Sequence, residues 1–164
     1  MFAVGELVFY GRTGVCRVAE VLSDAPEGPV FYALQPLYQT CAIRIPANNP
    51  KVYLRTIACR AEADALLAEL PALEAEPYYN RNLNQLRAYY LSCLENRSCR
   101  DLARMVKSLY LKKAELEAQK KKFGAVDERF LREAEGLLYG ELAAALTLDR
   151  AEVQKLIAKS MELA

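Results

Sequence analysis

Residues 4–22 read Val4-Gly5-Glu6-Leu7-Val8-Phe9-Tyr10, Gly11-Arg12-Thr13-Gly14, Val15-Cys16-Arg17-Val18-Ala19-Glu20-Val21-Leu22. Two runs rich in β-branched and aromatic residues flank four residues that begin and end with glycine. That is the pattern of a strand, a tight turn and a second strand. Beyond it, Ser23 to Pro29 is a turn by composition, and Val30 to Pro36 reads as a third strand that Pro36 ends. Cys41 to Pro46 alternates, placing Ile43 and Ile45 on one face and Arg44 on the other. Ala47-Asn48-Asn49-Pro50 turns the chain again, and Val52 to Arg55 makes a short fifth strand. Five short strands with turns between them predict a small, strongly bent, barrel-like sheet over residues 1–60, a module suited to binding macromolecules.

From Ala61 the apolar period changes from two to that of a helix. Residues 61–77 are expected to carry a helix, Ala61 to Leu70, stopped by Pro71, and then a hinge, Leu73 to Pro77. Residues 78–164 are expected to form a helical bundle. Its first helix runs from about Tyr79 to Leu94, with Leu83, Leu86, Tyr90 and Leu94 at helical spacing. Ser98 and Asp101 resemble a capping box for a second helix carrying Leu102, Met105, Val106, Leu109 and Leu116. Lys120-Lys121-Lys122-Phe123-Gly124 is expected to end it, with Gly124 as the stop. Val126 to Leu146 buries Phe130, Leu131, Ala134, Leu138 and Leu142. Asp149 and Glu152 then open a last helix carrying Val153, Leu156, Ile157 and Met161. The expected class is α+β, a β module followed by a helical bundle.

Composition narrows the chemistry. The chain has no histidine, which removes imidazole ligands and the usual proton shuttle at neutral pH. Its five cysteines, Cys16, Cys41, Cys59, Cys93 and Cys99, form no CxxC pair and are odd in number, so they are expected to be small buried thiols. With neither a phosphate loop nor a nucleophile elbow, no enzyme, metal or cofactor is expected. No apolar run reaches transmembrane length and no signal region opens the chain, so a cytoplasmic location is expected. The net charge of +1 conceals an asymmetry. Residues 1–77 carry 6 basic and 9 acidic side chains, while residues 78–122 carry 11 basic and 4 acidic. The basic stretch is either a face for a polyanion or a solvated helix surface.

Three stretches together resemble the CarD/CdnL family of bacterial RNA polymerase-binding transcription regulators. They are Phe2 to Tyr10 with Gly14, then Ile43-Arg44-Ile45-Pro46-Ala47-Asn48, then Leu102 to Leu109 with Leu137-Leu138-Tyr139-Gly140-Glu141-Leu142-Ala143. The resemblance implies a Tudor-like N-terminal module docking on the polymerase β subunit, with Arg44, Ile43 and Pro46 at the contact. It also implies that the helical domain meets promoter DNA, mostly backbone and minor groove, at the upstream edge of the melted bubble. Nothing in the sequence demands a dimer, and a monomer is expected.

The chain also departs from that family. Members commonly place a Trp wedge after the hinge, and this chain has no Trp. Tyr79 occupies the matching place, either as a smaller wedge or as packing for the helix start. The following helix is longer by about one turn, near Ala88-Tyr89-Tyr90-Leu91. Asp127-Glu128-Arg129 is acidic where members are more basic, which shifts expected DNA contact to Arg81, Arg87, Arg97, Arg100 and Arg104. The alternative is a protein-interaction adaptor without DNA contact.

Overall fold

The computed structural model describes residues 2–23, 25–48, 54–95 and 98–162. The chain divides into two compact units, Met1–Ile57 and Ala58–Ala164. In the first, β1 (Leu7–Tyr10), β2 (Gly14–Ser23), β3 (Val30–Pro36), β4 (Ile43–Pro46) and β5 (Leu54–Thr56) form one antiparallel sheet in the order β4-β3-β2-β1-β5. A 3-10 turn, Gly11–Thr13, joins β1 to β2, with Tyr10 opposite Gly14. Gly11 at φ 43° and Gly14 at φ 89° adopt left-handed backbone, which a Cβ would strain. That is why glycine bounds the turn at both ends.

Between β2 and β3 the register shifts at Val18/Glu20, a bulge that bends the long β2. Alternation sends Val8, Cys16, Val18, Tyr32, Leu34 and Ile45 into one core. The Tyr32 hydroxyl accepts the Phe2 N–H at 2.9 Å, fastening the N-terminal segment to that core. Strands β4 and β5 are the edges, and among the described residues no ladder joins them, so the sheet is open. Leu54 and Arg55 of the expected fifth strand lie in β5, whereas Val52 and Tyr53 fall outside the described residues.

The second unit holds α1 (Arg60–Glu69), α2 (Leu83–Leu94), α3 (Cys99–Ala118), α4 (Ala125–Leu146) and α5 (Arg150–Glu162). Residues 61–77 therefore belong to it and carry α1 and a 3-10 turn, Leu70–Ala72. The other four helices all pack on α4, where Phe130, Ala134, Leu138 and Leu142 make a buried stripe at every fourth position. Leu83 and Leu156 are exposed instead of joining the core. In α5 the buried pair is Val153 and Ile157, and Leu156 lies about 100° around the helix from Ile157. No helix among the described residues is long and apolar enough to cross a membrane.

Helix ends differ from expectation in two places. Helix α2 begins at Leu83 and not near Tyr79. The Asn82 side-chain oxygen accepts the N–H groups of Asn84 and Gln85 at 3.0 and 3.2 Å, and Asn80 Oδ1 accepts the Asn82 N–H at 2.9 Å. These two asparagines set the cap and hold Tyr79 outside the helix. Helix α3 opens with the expected box, since Ser98 Oγ accepts the Asp101 N–H and Asp101 Oδ2 accepts the Ser98 N–H, each at 3.2 Å. It ends at Ala118, earlier than Gly124. Lys120 is left-handed at φ 57°. Its N–H donates to the Glu117 carbonyl at 3.0 Å and that of Lys121 to Leu116 at 2.8 Å, the pairing of a Schellman motif. Gly124, at φ −68°, is the N-cap of α4.

Candidate interfaces and a tyrosine-lined cavity

On the β unit, pairing sets Arg44 opposite Ala33 and Pro46 opposite Phe31. Both Arg44 and Pro46 are exposed, on the edge strand β4. The Arg44 guanidinium stands 4.5 Å over the Phe31 ring, a cation–π contact that steadies it against the sheet. Ile43 turns to the other face, opposite Leu34, and packs against the core. It supports the strand from beneath while Arg44 and Pro46 face outward. A second such contact, Arg55 at 4.2 Å over Phe9, had no signal in the sequence because it depends on the β1–β5 register.

In the helical unit, the chain between α1 and α2 is fastened along α3. Lys107 Nζ donates to the carbonyl oxygens of Leu70, Pro71 and Leu73 at 2.7, 3.0 and 2.9 Å. The Glu76 N–H donates to Ser108 Oγ at 3.2 Å. Farther on, the Tyr79 hydroxyl donates to Glu115 Oε2, and the Lys112 ammonium sits 4.8 Å from the Tyr79 ring centre. Tyr79 remains 51% exposed, so it packs on the flank of α3 and not in the core. The Glu115 hydrogen bond is the main cause pushing its hydroxyl up to about 12, with burial and the carboxylates of Glu115 and Asp127 adding to it.

Beneath Tyr79 lies a buried polar network. Asp127 Oδ1 accepts from Lys112 Nζ at 2.9 Å and from the Tyr90 hydroxyl. Lys112 and Asp127 are each 4% exposed. Asp127 therefore faces inward and neutralises Lys112, so its charge is not a surface obstacle to phosphate. The sequence did hold a signal: Lys112 falls in phase with the buried Met105 and Leu109 of α3, a lysine at a core-facing position.

Burial pushes the Tyr90 hydroxyl far above the ordinary value, with the Asp127 hydrogen bond and charge adding. Tyr110 is raised to about 12, chiefly by burial, and its hydroxyl lies 2.7 Å from that of Tyr139. Tyr139 is raised further, by burial and then by bonds to Tyr110 and Glu135. Since the folded state favours the neutral phenols, their contribution to stability is whole below the unfolded value near pH 10. It is lost as pH rises through the folded values, over pH 10 to 12 for Tyr110. An ultraviolet titration is expected to show Tyr90, Tyr110 and Tyr139 ionising only as helical circular dichroism disappears. Tyr90→Phe is expected to flatten the alkaline loss of stability.

A cavity of about 300 Å³ opens between α2, α3 and residues 76–78, lined by Tyr78, Tyr89, Tyr90, Met105, Leu109 and Lys112 among others. Tyr89 stacks on Tyr78 with ring centres 3.8 Å apart and planes 18° apart. The chain matches no protein-family model, and no curated protein matches it significantly.

The arginines expected at DNA are differently placed. Arg81 is exposed, with no side-chain partner among the described residues. Arg87 Nη1 donates to Asn84 Oδ1 at 3.3 Å. Arg100 pairs with Glu69 at 3.3 Å and Arg104 with Asp101 at 3.9 Å. Arg97 lies outside the described residues. Among the cysteines, Cys16 and Cys99 are buried, Cys93 lines the cavity, and Cys41 and Cys59 are exposed. This corrects the expectation of five buried thiols: Cys59 sits at the N-cap of α1, where the chain is still outside the packed helix. Among the described residues no cluster of three or more Cys, Asp or Glu could hold a metal ion.

Proposed function

We propose that the chain is a non-enzymatic, cytoplasmic transcription regulator of the CarD/CdnL kind. Its Tudor-like N-terminal unit binds the β subunit of RNA polymerase, and its helical unit contacts promoter DNA at the upstream edge of the bubble. The observation that carries this reading is the edge strand β4, which presents Arg44 and Pro46 outward over a core-anchored Ile43. An edge strand offers backbone donors and acceptors to a partner, and arginine adds a planar fork for a carboxylate. Docking of the β unit tethers the helical unit near DNA, so weak DNA contact suffices. Tyr79, half-exposed before α2, supplies an aromatic face for a disrupted base step. The protein then favours the open complex by the difference in its affinity for the open and closed states.

The purified protein is expected to bind its cognate polymerase, with Arg44→Glu weakening binding by about tenfold or more. Equal binding by both proteins, or none by a folded wild type, would remove the reading. Tyr79→Ala is expected to shorten open-complex lifetime severalfold without altering polymerase affinity, measured by filter retention against competitor DNA. The second reading, an adaptor without DNA contact, is favoured by the carboxylates facing Arg100 and Arg104 and by the tie of Tyr79 to Glu115. Under it, Tyr79→Ala leaves lifetime unchanged and rising salt does not steepen the loss of complex.

A further inference from the structure

The cavity between α2, α3 and residues 76–78 has soft, aromatic walls: the Tyr78–Tyr89 stack, Tyr90, Met105 and Leu109. Its volume of about 300 Å³ lies at the small end of small-molecule sites. It has room for one ring system and none for an extended ligand. Lys112 also lines it and is 4% exposed. An ammonium has three N–H donors. Lys112 directs one to Asp127 Oδ1 and stands over the Tyr79 ring, and no second oxygen accepts from it among the described residues. A buried cation with spare donor capacity gains from any acceptor that reaches it. Because Asp127 already neutralises the charge, that acceptor need be only a dipole. Glu76 and Asp101 also line the cavity and offset the charges of Arg104 and Lys112, so the wall carries no excess positive charge to select an anionic ring.

We propose that this cavity binds one neutral nucleobase-type ring, held between the tyrosine walls with a carbonyl oxygen or ring nitrogen accepting from Lys112 Nζ. Stacking on tyrosine is tolerant of base identity, whereas the single buried donor demands an acceptor on the ring. A free nucleoside and an unstacked base in single-stranded DNA present the same chemistry. The proposal stands on the helical unit alone and does not require docking on polymerase.

The chain has three methionines, and Met105 lies in the cavity wall while Met161 lies in α5. In full-length protein labelled at the methionine methyls, thymidine, deoxyadenosine and a short oligothymidylate are titrated separately. The Met105 signal is expected to shift saturably, with a nucleoside dissociation constant on the order of 0.1–1 mM, while Met161 stays still. Lys112→Met threatens the fold, so Cys93→Phe, which fills the cavity from a half-buried position, is the working variant and should weaken binding at least about tenfold. A response to nucleosides alone identifies the free compound as the source, and a response to the oligonucleotide alone identifies a strand base. No shift with any probe, an undiminished response in folded Cys93→Phe, or an equal response to toluene, which lacks an acceptor, overturns the proposal. Polymerase binding through Arg44 is measured separately, so either reading can fail without the other.

Discussion

Lys112→Met is expected to destabilise the helical unit by about 3–5 kcal/mol, the usual consequence of stranding one member of a buried ion pair. Lys112 and Asp127 are each 4% exposed and 2.9 Å apart. Methionine keeps much of the volume and removes the charge, leaving the Asp127 carboxylate with the Tyr90 hydroxyl as its one remaining side-chain donor among the described residues. Tyr79 also loses the cation over its ring. Urea unfolding followed by circular dichroism measures the loss. The double variant Lys112→Met/Asp127→Leu is expected to recover most of it, because two apolar groups leave no buried charge unpaired. A single-variant loss below about 1 kcal/mol would mean that the pair behaves as a solvated one.

The second large effect is expected at Lys107. Lys107→Met takes a charged donor away from three carbonyls at once, those of Leu70, Pro71 and Leu73. Hydrogen bonds from a charged group contribute about 1.5–3 kcal/mol, and oxygens left without a donor add to the loss. Lys107 is only part-buried and water reaches some of the freed oxygens, so the expected cost is about 2–3 kcal/mol. Chemical denaturation gives that total. Hydrogen exchange gives its distribution, with protection falling first where α1 ends and the 3-10 turn follows. Uniform loss across all five helices would argue that Lys107 acts through the core and not through this turn.

Much of the fold was legible because apolar spacing and local chemistry agreed. Gly11 and Gly14 bracket the first turn, Ile43 and Ile45 take the core face of β4, and Ser98 with Asp101 caps α3. The α+β order of a five-stranded sheet followed by helices follows from the same signals. Boundaries were lost where polar side chains act on backbone. Asn80 and Asn82 hold off α2, and Lys120 takes a left-handed turn that composition would assign to glycine. The site was less legible because its parts come from distant positions. Asp127 reads as an acidic helix start until α4 packs on α3 and brings it to Lys112. Tyr89 and Tyr90, read as lying in an inserted turn, supply the cavity wall and the second donor to Asp127. Arg100 and Arg104 read as open cations until the carboxylates of Glu69 and Asp101 are placed beside them.

The fastening of residues 73–79 along α3 has a mechanical meaning. The Leu73 carbonyl is pinned to Lys107 and the Tyr79 hydroxyl to Glu115, and those anchors lie about 12 Å apart along one helix. Six residues of extended chain reach about 20 Å, and the Glu76 N–H, bonded to Ser108 Oγ, fastens them midway. A partner that draws Tyr79 outward breaks the Glu115 pin while the bonds at Glu76 and Lys107 still hold the segment to α3. The aromatic ring behaves as a latch on a short leash, released and refastened without loosening the rod that carries it.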